Sequence, residues 1–447
     1  MTALYSPADL GAELVRQIQS RGASVGVVGG GYVGLSLSLQ LVRAGFEAFL
    51  VDSCRERVRS LLRCETYADG IPSTDLDRAQ RTGRFHVTDQ MSVLRSAEVI
   101  VLALPTPLRD GIPDLSAVEQ VCTELASFLK RGCLVCFEST SYPGTTRKIV
   151  LPLLESSGLR VESDFFLTYS PERIDPANAA FHVSNTPRLL SALGPISLDV
   201  GRVFYETFLA APIHCTPSVE TAEMAKLYEN TFRFVNIGLV NELTILCDKV
   251  GADVWEVLQA AHTKPFGWMP FFPGPGAGGH CIPVAPTYLS WFAGQVGVKA
   301  PIVAAAQEVN LAMPDFIVQK ASEILRVADA PLKAAKILML GVAYKKNVGD
   351  VRESGAVRML KLLQMQGCAL DYCDPLLQHN LDAHAALLPS FNRNLNELDY
   401  KKYDLVIIAT DHDCFDYRTI VRNSQRVLDL RNATKDILES REKIHLL

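Results

Sequence analysis

Cys281 lies in the run Gly278-Gly279-His280-Cys281-Ile282-Pro283. Two glycines before a cysteine let a substrate come close to the backbone and leave the thiol accessible. As a thiolate, a cysteine attacks an aldehyde, and the adduct can then lose hydride. A buried, inert cysteine is the commoner fate, and Cys281 taken alone would be read that way. Lys226 and Asn230 add a second element. They stand four residues apart in AEMAKLYENTFRF, which puts them on one face of a helix. Neither suits an apolar core. A partly desolvated lysine can stabilise an oxyanion, and the amide can donate a second hydrogen bond. Without the cysteine loop, a solvated helix face explains the pair equally well.

Further polar residues fall at the ends of apolar runs. Thr106 lies in LPTP, Ser139 and Thr140 in ESTSYPGTT, and Glu172 in YSPER. Open α/β sheets bind ligands beyond the carboxyl ends of their strands. A carboxylate there, such as Glu172, can act as a base toward water. An ordinary surface carboxylate is the plainer alternative.

The run Gly29-Gly30-Gly31-Tyr32-Val33-Gly34 fits G-x-G-x-x-G between an apolar strand and a helical pattern. Its glycines permit a tight turn, close approach of backbone to a pyrophosphate, and close helix packing, with the helix N-terminus facing the phosphates. Asp52 ends the next apolar run, about 20 residues on, where a carboxylate accepts from a ribose 2′-hydroxyl. That favours NAD over NADP. Arg57 lies close enough in sequence to leave NADP open, and a purely structural glycine turn is the other alternative.

These residues need elements to place them. From Ala23 the pattern reads strand, glycine turn, helix, strand, and strand-like runs at Val99–Pro105, Cys133–Ser139 and Asp164–Glu172 follow, alternating with helical stretches. The pattern predicts a parallel, doubly wound sheet. After Pro217 it changes. Ser218 to Val250 reads as one long helix with Ser218 as N-cap and Glu220 near its start. A Pro/Gly-rich loop follows from Pro265 to Pro286, then a helix from about Ala300 to Ala328. Strand and helix patterns then resume: Ala334–Tyr344, Ser354–Gly367, Ala369–Pro375, Asp404–Thr410 and Arg426–Asn432. The expected fold class is α/β, with two Rossmann-like doubly wound domains joined by a helical middle. The expected divisions are 1–212, 213–328 and 329–447.

Bulk properties agree. A chain of 447 residues suggests about three domains. Hydrophobic residues are 48% and charged residues 21%, an ordinary globular balance. A net charge of −5 without a Lys/Arg run gives no reason to expect nucleic acid or an anionic membrane as partner. The 11 cysteines are scattered. Cys133 and Cys136 come closest to a paired spacing, but their segment reads as a buried strand. Neither a disulfide framework nor a metal site is expected. The N-terminal stretch is amphipathic, unlike a signal peptide, and no window approaches the ~20 apolar residues of a membrane span. The expected location is the cytoplasm.

Taken together, the motifs resemble the UDP-glucose/GDP-mannose dehydrogenase family over nearly the whole chain. The resemblance is carried by GGGYVG with Asp52, LPTPL, ESTSYPGTT, YSPERIDP, AEMAKLYENTFRFVNIGLVNEL, TKPFGWMPFFPGPGAGGHCIP, GVAYKKNVGDVRES and DYCDP. NTFRFVNIGLVNEL and PFFPGPGAGGHCIP are most similar to the branch oxidising UDP-N-acetylglucosamine or UDP-N-acetylmannosamine. The resemblance implies a four-electron oxidation of a sugar C6 alcohol to a carboxylate with NAD. It implies that Cys281 forms a thiohemiacetal and then a thioester, and that Lys226 and Asn230 stabilise the C6 oxyanion. Thr140 would position a water and Glu172 would promote thioester hydrolysis. Glu172, Arg173, Lys226, Asn230, Phe271, Pro273, Gly274, Gly278, Tyr344 and Lys345 match substrate-contacting positions. Gly29, Gly31, Tyr32, Val33, Gly34, Asp52, Arg57, Thr106, Ser139, Thr140 and Arg352 match the cofactor side. The implied partners are a UDP-sugar and further copies of this chain, as a homodimer or larger. The implied setting is surface polysaccharide or antibiotic sugar synthesis.

One position departs from the family pattern. The family carries an aspartate four residues after the cysteine, and this chain has Ala285. An alanine cannot accept a proton. Thr287 and Asn347 also replace an aromatic and an aspartate common in the family. Three chemistries therefore stay open: the full oxidation with another group orienting water, a partial or redox-neutral reaction such as epimerisation using bound NAD, and nucleotide-sugar binding with little catalysis.

Overall fold

The computed structural model describes residues 6–67, 70–175, 178, 180–328, 330–379, 388 and 392–447. The chain divides into two compact units, Met1–Glu229 with Gly294–Val296 and Asn230–Ala293 with Gly297–Leu447.

The first unit opens with α1 (Pro7–Gln19), started by a Ser6/Asp9 capping box with Pro7 in its first turn. The pattern β1 (Ser24–Val28), α2 (Tyr32–Arg43), β2 (Glu47–Val51) follows as expected. Next come α3 (Arg55–Leu62), α4 (Ser73–Arg81), β3 (Phe85–Thr88) and β4 (Val99–Leu102). A small hairpin, β5 (Leu108–Arg109) and β6 (Ile112–Pro113), leads to α5 (Ser116–Ala126) and β7 (Leu134–Phe137). A π-wound stretch, Thr146–Val150, runs into α6 (Leu151–Glu155). The unit continues through β8 (Phe166–Tyr169), β9 (Arg188–Ala192), α7 (Pro195–Glu206) and β10 (Ile213–Cys215).

Its sheet runs β10-β9-β8-β7-β4-β1-β2-β3. The β3-β2-β1-β4 order is that of a dinucleotide-binding doubly wound sheet, and the switch point lies between β1 and β4. All pairings are parallel except β8 with β9. Helices cover both faces, so β4, β7 and β8 are buried at every position.

The long helix α8 (Val219–Val250) begins in the first unit and passes into the second. Ser218 caps it as expected, accepting from the Thr221 N–H at 3.2 Å. The second unit continues with α9 (Val254–His262), α10 (Val284–Gln295) and α11 (Pro301–Val327). The sequence-based loop to Pro286 is therefore too long. The helix starts at Val284, because Pro286 falls in its first turn, where a missing N–H costs nothing. Gly238 lets α8 meet α11, since a Cβ there would lie 2.9 Å from that of Ala306.

A second sheet completes this unit: β11 (Lys336–Leu340), α12 (Gly355–Met365), β12 (Ala369–Cys373), β13 (Leu405–Ile408), α13 (Tyr417–Asn423), β14 (Val427–Asp429) and β15 (Ile444–Leu446). The order is β12-β11-β13-β14-β15, parallel throughout, with its switch point between β11 and β13. Two apolar cores flank it, one built on Met339, Ile407 and Leu360, the other on Leu340, Ile408 and Ile420. Strands β3, β9, β10 and β15 escaped the sequence reading. Each is short and carries polar or charged residues, so periodicity has little to act on.

Candidate active site

The glycine turn of the first unit closes on the switch point. Gly29 has φ +107°, and a Cβ on it would lie 2.3 Å from the Ala103 carbonyl oxygen, on the loop after β4. A Cβ on Gly34 would lie 1.9 Å from the Gly29 oxygen, so only glycine lets α2 pack this closely. Gly31 faces open space, and it leads into Tyr32 and Val33 at the start of α2. This arrangement fits a dinucleotide, with room for a pyrophosphate against Gly31 and the N-terminus of α2.

Asp52 is 7% exposed. Its Oδ2 accepts from Gly30 N–H at 2.7 Å and its Oδ1 from Cys54 N–H at 2.7 Å. Arg57 approaches Oδ2 at 3.4 Å and is half exposed. Tyr67, which the sequence reading missed, donates its hydroxyl to the Gly30 carbonyl and lies under the Arg57 guanidinium. The carboxylate expected to meet the ribose is thus oriented by the turn that would meet the pyrophosphate.

The strand-end residues gather in the same unit. Thr106 Oγ1 donates to the Thr140 carbonyl at 2.8 Å, and Leu104 N–H donates to Ser139 Oγ at 2.9 Å. These bonds tie the loop after β4 to the loop after β7. Past Thr140, the Gly144 and Thr146 N–H groups and the Thr146 hydroxyl all donate to the carboxylate of Glu223 on α8. Glu223 was not singled out from sequence, although a glutamate in an apolar helical stretch was a usable signal. Burial pushes its pKa up to about 7 despite those donors. Lys226, nearly one turn further on, is 7% exposed.

Glu172 follows β8. Its Oε2 meets Arg188 Nη1 at 3.1 Å, and its Oε1 accepts from the N–H groups of Arg173 and Ile174 at 2.6 and 2.9 Å. Arg173 pairs with Glu229 at 2.7 Å. Arg188 and its second partner Glu138 were also missed. A charged residue heading an apolar strand was the available sign.

In the second unit, Asn230 on α8 is buried, and its Nδ2 has no hydrogen-bond partner among the described residues. A buried amide donor without a partner is a ready place for a ligand acceptor. The loop before α10 is moulded onto its surroundings. Gly274 N–H donates to Asn241 of α8 at 3.1 Å, and Asn241 is held by Asn310 of α11 at 2.9 Å. Arg431, after β14, donates to the Pro273 carbonyl at 3.3 Å and lies where a Cβ on Gly274 would be. Phe271 packs edge-on against Phe232.

Gly278 and Gly279 press against Tyr344: a Cβ on Gly278 would be 2.8 Å from the Tyr344 Cβ, and one on Gly279 2.7 Å from its ring. Gly279 N–H also donates to the Arg352 carbonyl at 3.0 Å. Cys281 emerges from this turn with its side chain exposed. His280 beside it is held below the usual imidazole range by burial and by the Arg352 charge. Burial opposes the Arg352 charge, but Asp350, Cys281 and Tyr344 together raise its pKa. Lys345 follows Tyr344 on the loop after β11, half-buried. Ala285 lies in the first turn of α10, buried, with its N–H donating to the Cys281 carbonyl at 3.1 Å. No group of three His, Cys, Asp or Glu side chains able to hold a metal occurs among the described residues.

A doubly wound sheet with a glycine turn and an acidic strand end defines a dinucleotide-binding protein. The chain belongs to the UDP-glucose/GDP-mannose dehydrogenase family, whose NAD binding, central and UDP binding domains match residues 23–209, 220–312 and 338–436. Its cofactor is NAD. The chain is 32% identical to the UDP-N-acetyl-D-glucosamine 6-dehydrogenase of Pseudomonas aeruginosa, over 88% of this chain and 91% of that one. It is 29% identical to the UDP-N-acetyl-D-mannosamine dehydrogenase of Pyrococcus horikoshii, over 92% and 96%. A solved structure of the UDP-D-ManNAc dehydrogenase from Pyrococcus horikoshii superposes with a TM-score of 0.82 at 29% identity, covering 92% of this chain and 96% of that chain. No helix among the described residues is long and apolar enough to cross a membrane.

Proposed function

We propose that this chain oxidises the C6 hydroxyl of UDP-N-acetylglucosamine or UDP-N-acetylmannosamine to the uronate, with Cys281 holding the intermediate. The observation that carries the reading is the Cys281 loop: an exposed thiol on a turn that only glycines can build against Tyr344. NAD, when bound, would accept the hydride that C6 loses in each oxidation, and water would take the C6 hydroxyl proton in the first. The Cys281 thiolate adds to the C6 aldehyde, forming the C–S bond, and Lys226 and Asn230 donate to the oxygen that becomes negative. After the second oxidation the sugar is a thioester on Cys281. Thr140 positions a water, Glu172 takes its proton, the oxygen bonds to the carbonyl carbon, and the C–S bond breaks to return the thiolate.

The same reading assigns Gly29, Gly31, Tyr32, Val33, Gly34, Asp52, Arg57, Thr106, Ser139 and Arg352 to the cofactor. It assigns Arg173, Phe271, Pro273, Gly274, Gly278, Tyr344 and Lys345 to the substrate. It keeps the divisions 1–212, 213–328 and 329–447, a cytoplasmic setting, and assembly with a second copy. Leu239, Leu246 and Val250 support the last point, as large apolar side chains exposed along one face of α8.

One observation favours a second reading. Ala285 places a buried methyl where the family carries a carboxylate, so incomplete or redox-neutral chemistry is the alternative. Incubation with UDP-N-acetylglucosamine, UDP-N-acetylmannosamine or UDP-glucose and NAD separates the two. Two NADH per uronate, with the product identified by mass, is the expected result. A changed sugar without net NADH sinks the first reading in favour of the second.

A further inference from the structure

Behind Glu172 lies a buried charged cluster that no step of the proposed reaction uses. Arg188, at the start of β9, is 4% exposed and sits between two carboxylates. Its Nη1 lies 3.1 Å from Glu172 Oε2 and its Nη2 2.5 Å from Glu138 Oε2. Its Nε donates to Ser170 Oγ at 2.7 Å. Glu138, just past β7, is 2% exposed. The Tyr205 hydroxyl of α7 donates to Glu138 Oε1 at 2.7 Å, and the Arg188 guanidinium stacks over the Tyr205 ring.

One positive charge therefore serves two carboxylates, Glu138 fully buried and Glu172 partly exposed. A pair of Arg188 and Glu172 alone would hold Glu172 ionised and make it a poor base. Glu138 divides that hold. When Glu172 takes a proton, Arg188 and Glu138 remain as a matched pair, so no buried charge is left uncompensated. Resting on the base role of Glu172, we infer that Glu138, acting through Arg188, is a positioning residue that keeps Glu172 basic enough to draw a proton from water.

Burial raises the Glu138 pKa, with Arg188 pulling it down and Glu172 pushing it up, as expected of two carboxylates competing for one cation. The remaining groups around the cluster do not take over this role. Arg173 is engaged by Glu229 of α8, the Glu172 Oε1 is occupied by backbone N–H groups, and Cys136 of β7 faces Tyr205.

The test is the pH profile of kcat for UDP-N-acetylglucosamine oxidation, with intact-protein mass spectrometry of Cys281. In Glu138→Gln the guanidinium belongs to Glu172 alone. The acid limb then moves down by about one pH unit and the plateau falls about 10-fold. A sugar adduct accumulates on Cys281, while KM for NAD is unchanged. Glu138→Asp restores part of the plateau. Tyr205→Phe removes only a hydroxyl, so it serves if Glu138→Gln does not fold. It removes a donor that favours the ionised form of Glu138, so Glu138 is protonated more readily, holds Arg188 less, and moves the limb the same way by less. If Glu172→Gln stalls while Glu138→Gln and Tyr205→Phe keep the original limb, the coupling through Arg188 is wrong and the base role stands. If Glu172→Gln matches the original rate and profile, or the unmodified chain oxidises none of the three UDP-sugars, the base role is wrong and the inference goes with it.

Discussion

At the scale of single residues, the two chemical loci make separable predictions. Cys281→Ala removes the nucleophile proposed to trap the aldehyde. Uronate formation should fall at least about 10³-fold, with UDP-sugar affinity kept in a calorimetric titration. Unchanged uronate formation in that variant would sink the covalent route. Asp52 is the residue proposed to set the cofactor preference. Its carboxylate is oriented by Gly30 and Cys54 N–H groups and approached by a half-exposed Arg57. Asp52→Asn should weaken NAD about 10-fold, since a hydrogen bond to a charged acceptor is lost. It also frees Arg57 for a 2′-phosphate. NADP turnover should therefore rise in Asp52→Asn, and that rise should vanish when Arg57→Ala is added. Steady-state kinetics with both cofactors measures this.

At the scale of elements, glycines set how closely segments approach. The sharpest case is Gly34, whose Cβ would lie 1.9 Å from the Gly29 oxygen. Gly34→Ala must push α2 off β1, at a cost of about 1–3 kcal/mol. The expected outcome is a thermal midpoint lower by several degrees together with a loss of NAD binding. A variant that keeps full NAD affinity would show that the turn tolerates a wider gap. The cysteine loop is held in a comparable way, by Asn241, Asn310 and Arg431 around Pro273 and Gly274. These three polar anchors come from α8, α11 and the segment after β14.

At the scale of the whole molecule, pH dependence and assembly are the measurable properties. Glu223 has its pKa raised from 4.5 to about 7 by burial. A carboxyl whose folded pKa lies above its unfolded value adds stability that is complete below the unfolded value. That stability is lost as pH rises through the folded value. Between about pH 4.5 and 7 this one group should cost on the order of 3 kcal/mol. Glu223→Gln is expected to flatten the fall in thermal midpoint across that window; an unchanged slope would place Glu223 as ionised throughout. For assembly, Leu239→Asp with Leu246→Asp puts two charges on the exposed apolar face of α8. Light scattering is expected to give the mass of at least two chains for the unmodified protein, in line with the proposed assembly, and that of one chain for this variant. A mass unaffected by both charges would place the interface elsewhere.

Much of the candidate site could be proposed from the chain itself, because its patterns are local. The glycine turn with Asp52, the cysteine after two glycines, and the Lys226/Asn230 spacing are short-range patterns whose physical meaning does not depend on distant contacts. The alternation of apolar runs with helical stretches likewise announced both doubly wound sheets. Short strands such as Arg188–Ala192 and Ile213–Cys215 were not legible, since periodicity needs length and these owe their form to neighbours in the sheet. Nor could the chain show that Glu138, Arg188 and Glu172 share one buried charge, because residues up to 50 positions apart meet only when β7, β8 and β9 are side by side. The two glycines and Cys281 stood out as a candidate place for chemistry only beside the neighbouring motifs of the chain. That the thiol emerges on a turn pressed against Tyr344, with a buried Ala285 behind it, was decided by tertiary packing, since close approach between segments distant in sequence exists only once the chain has folded.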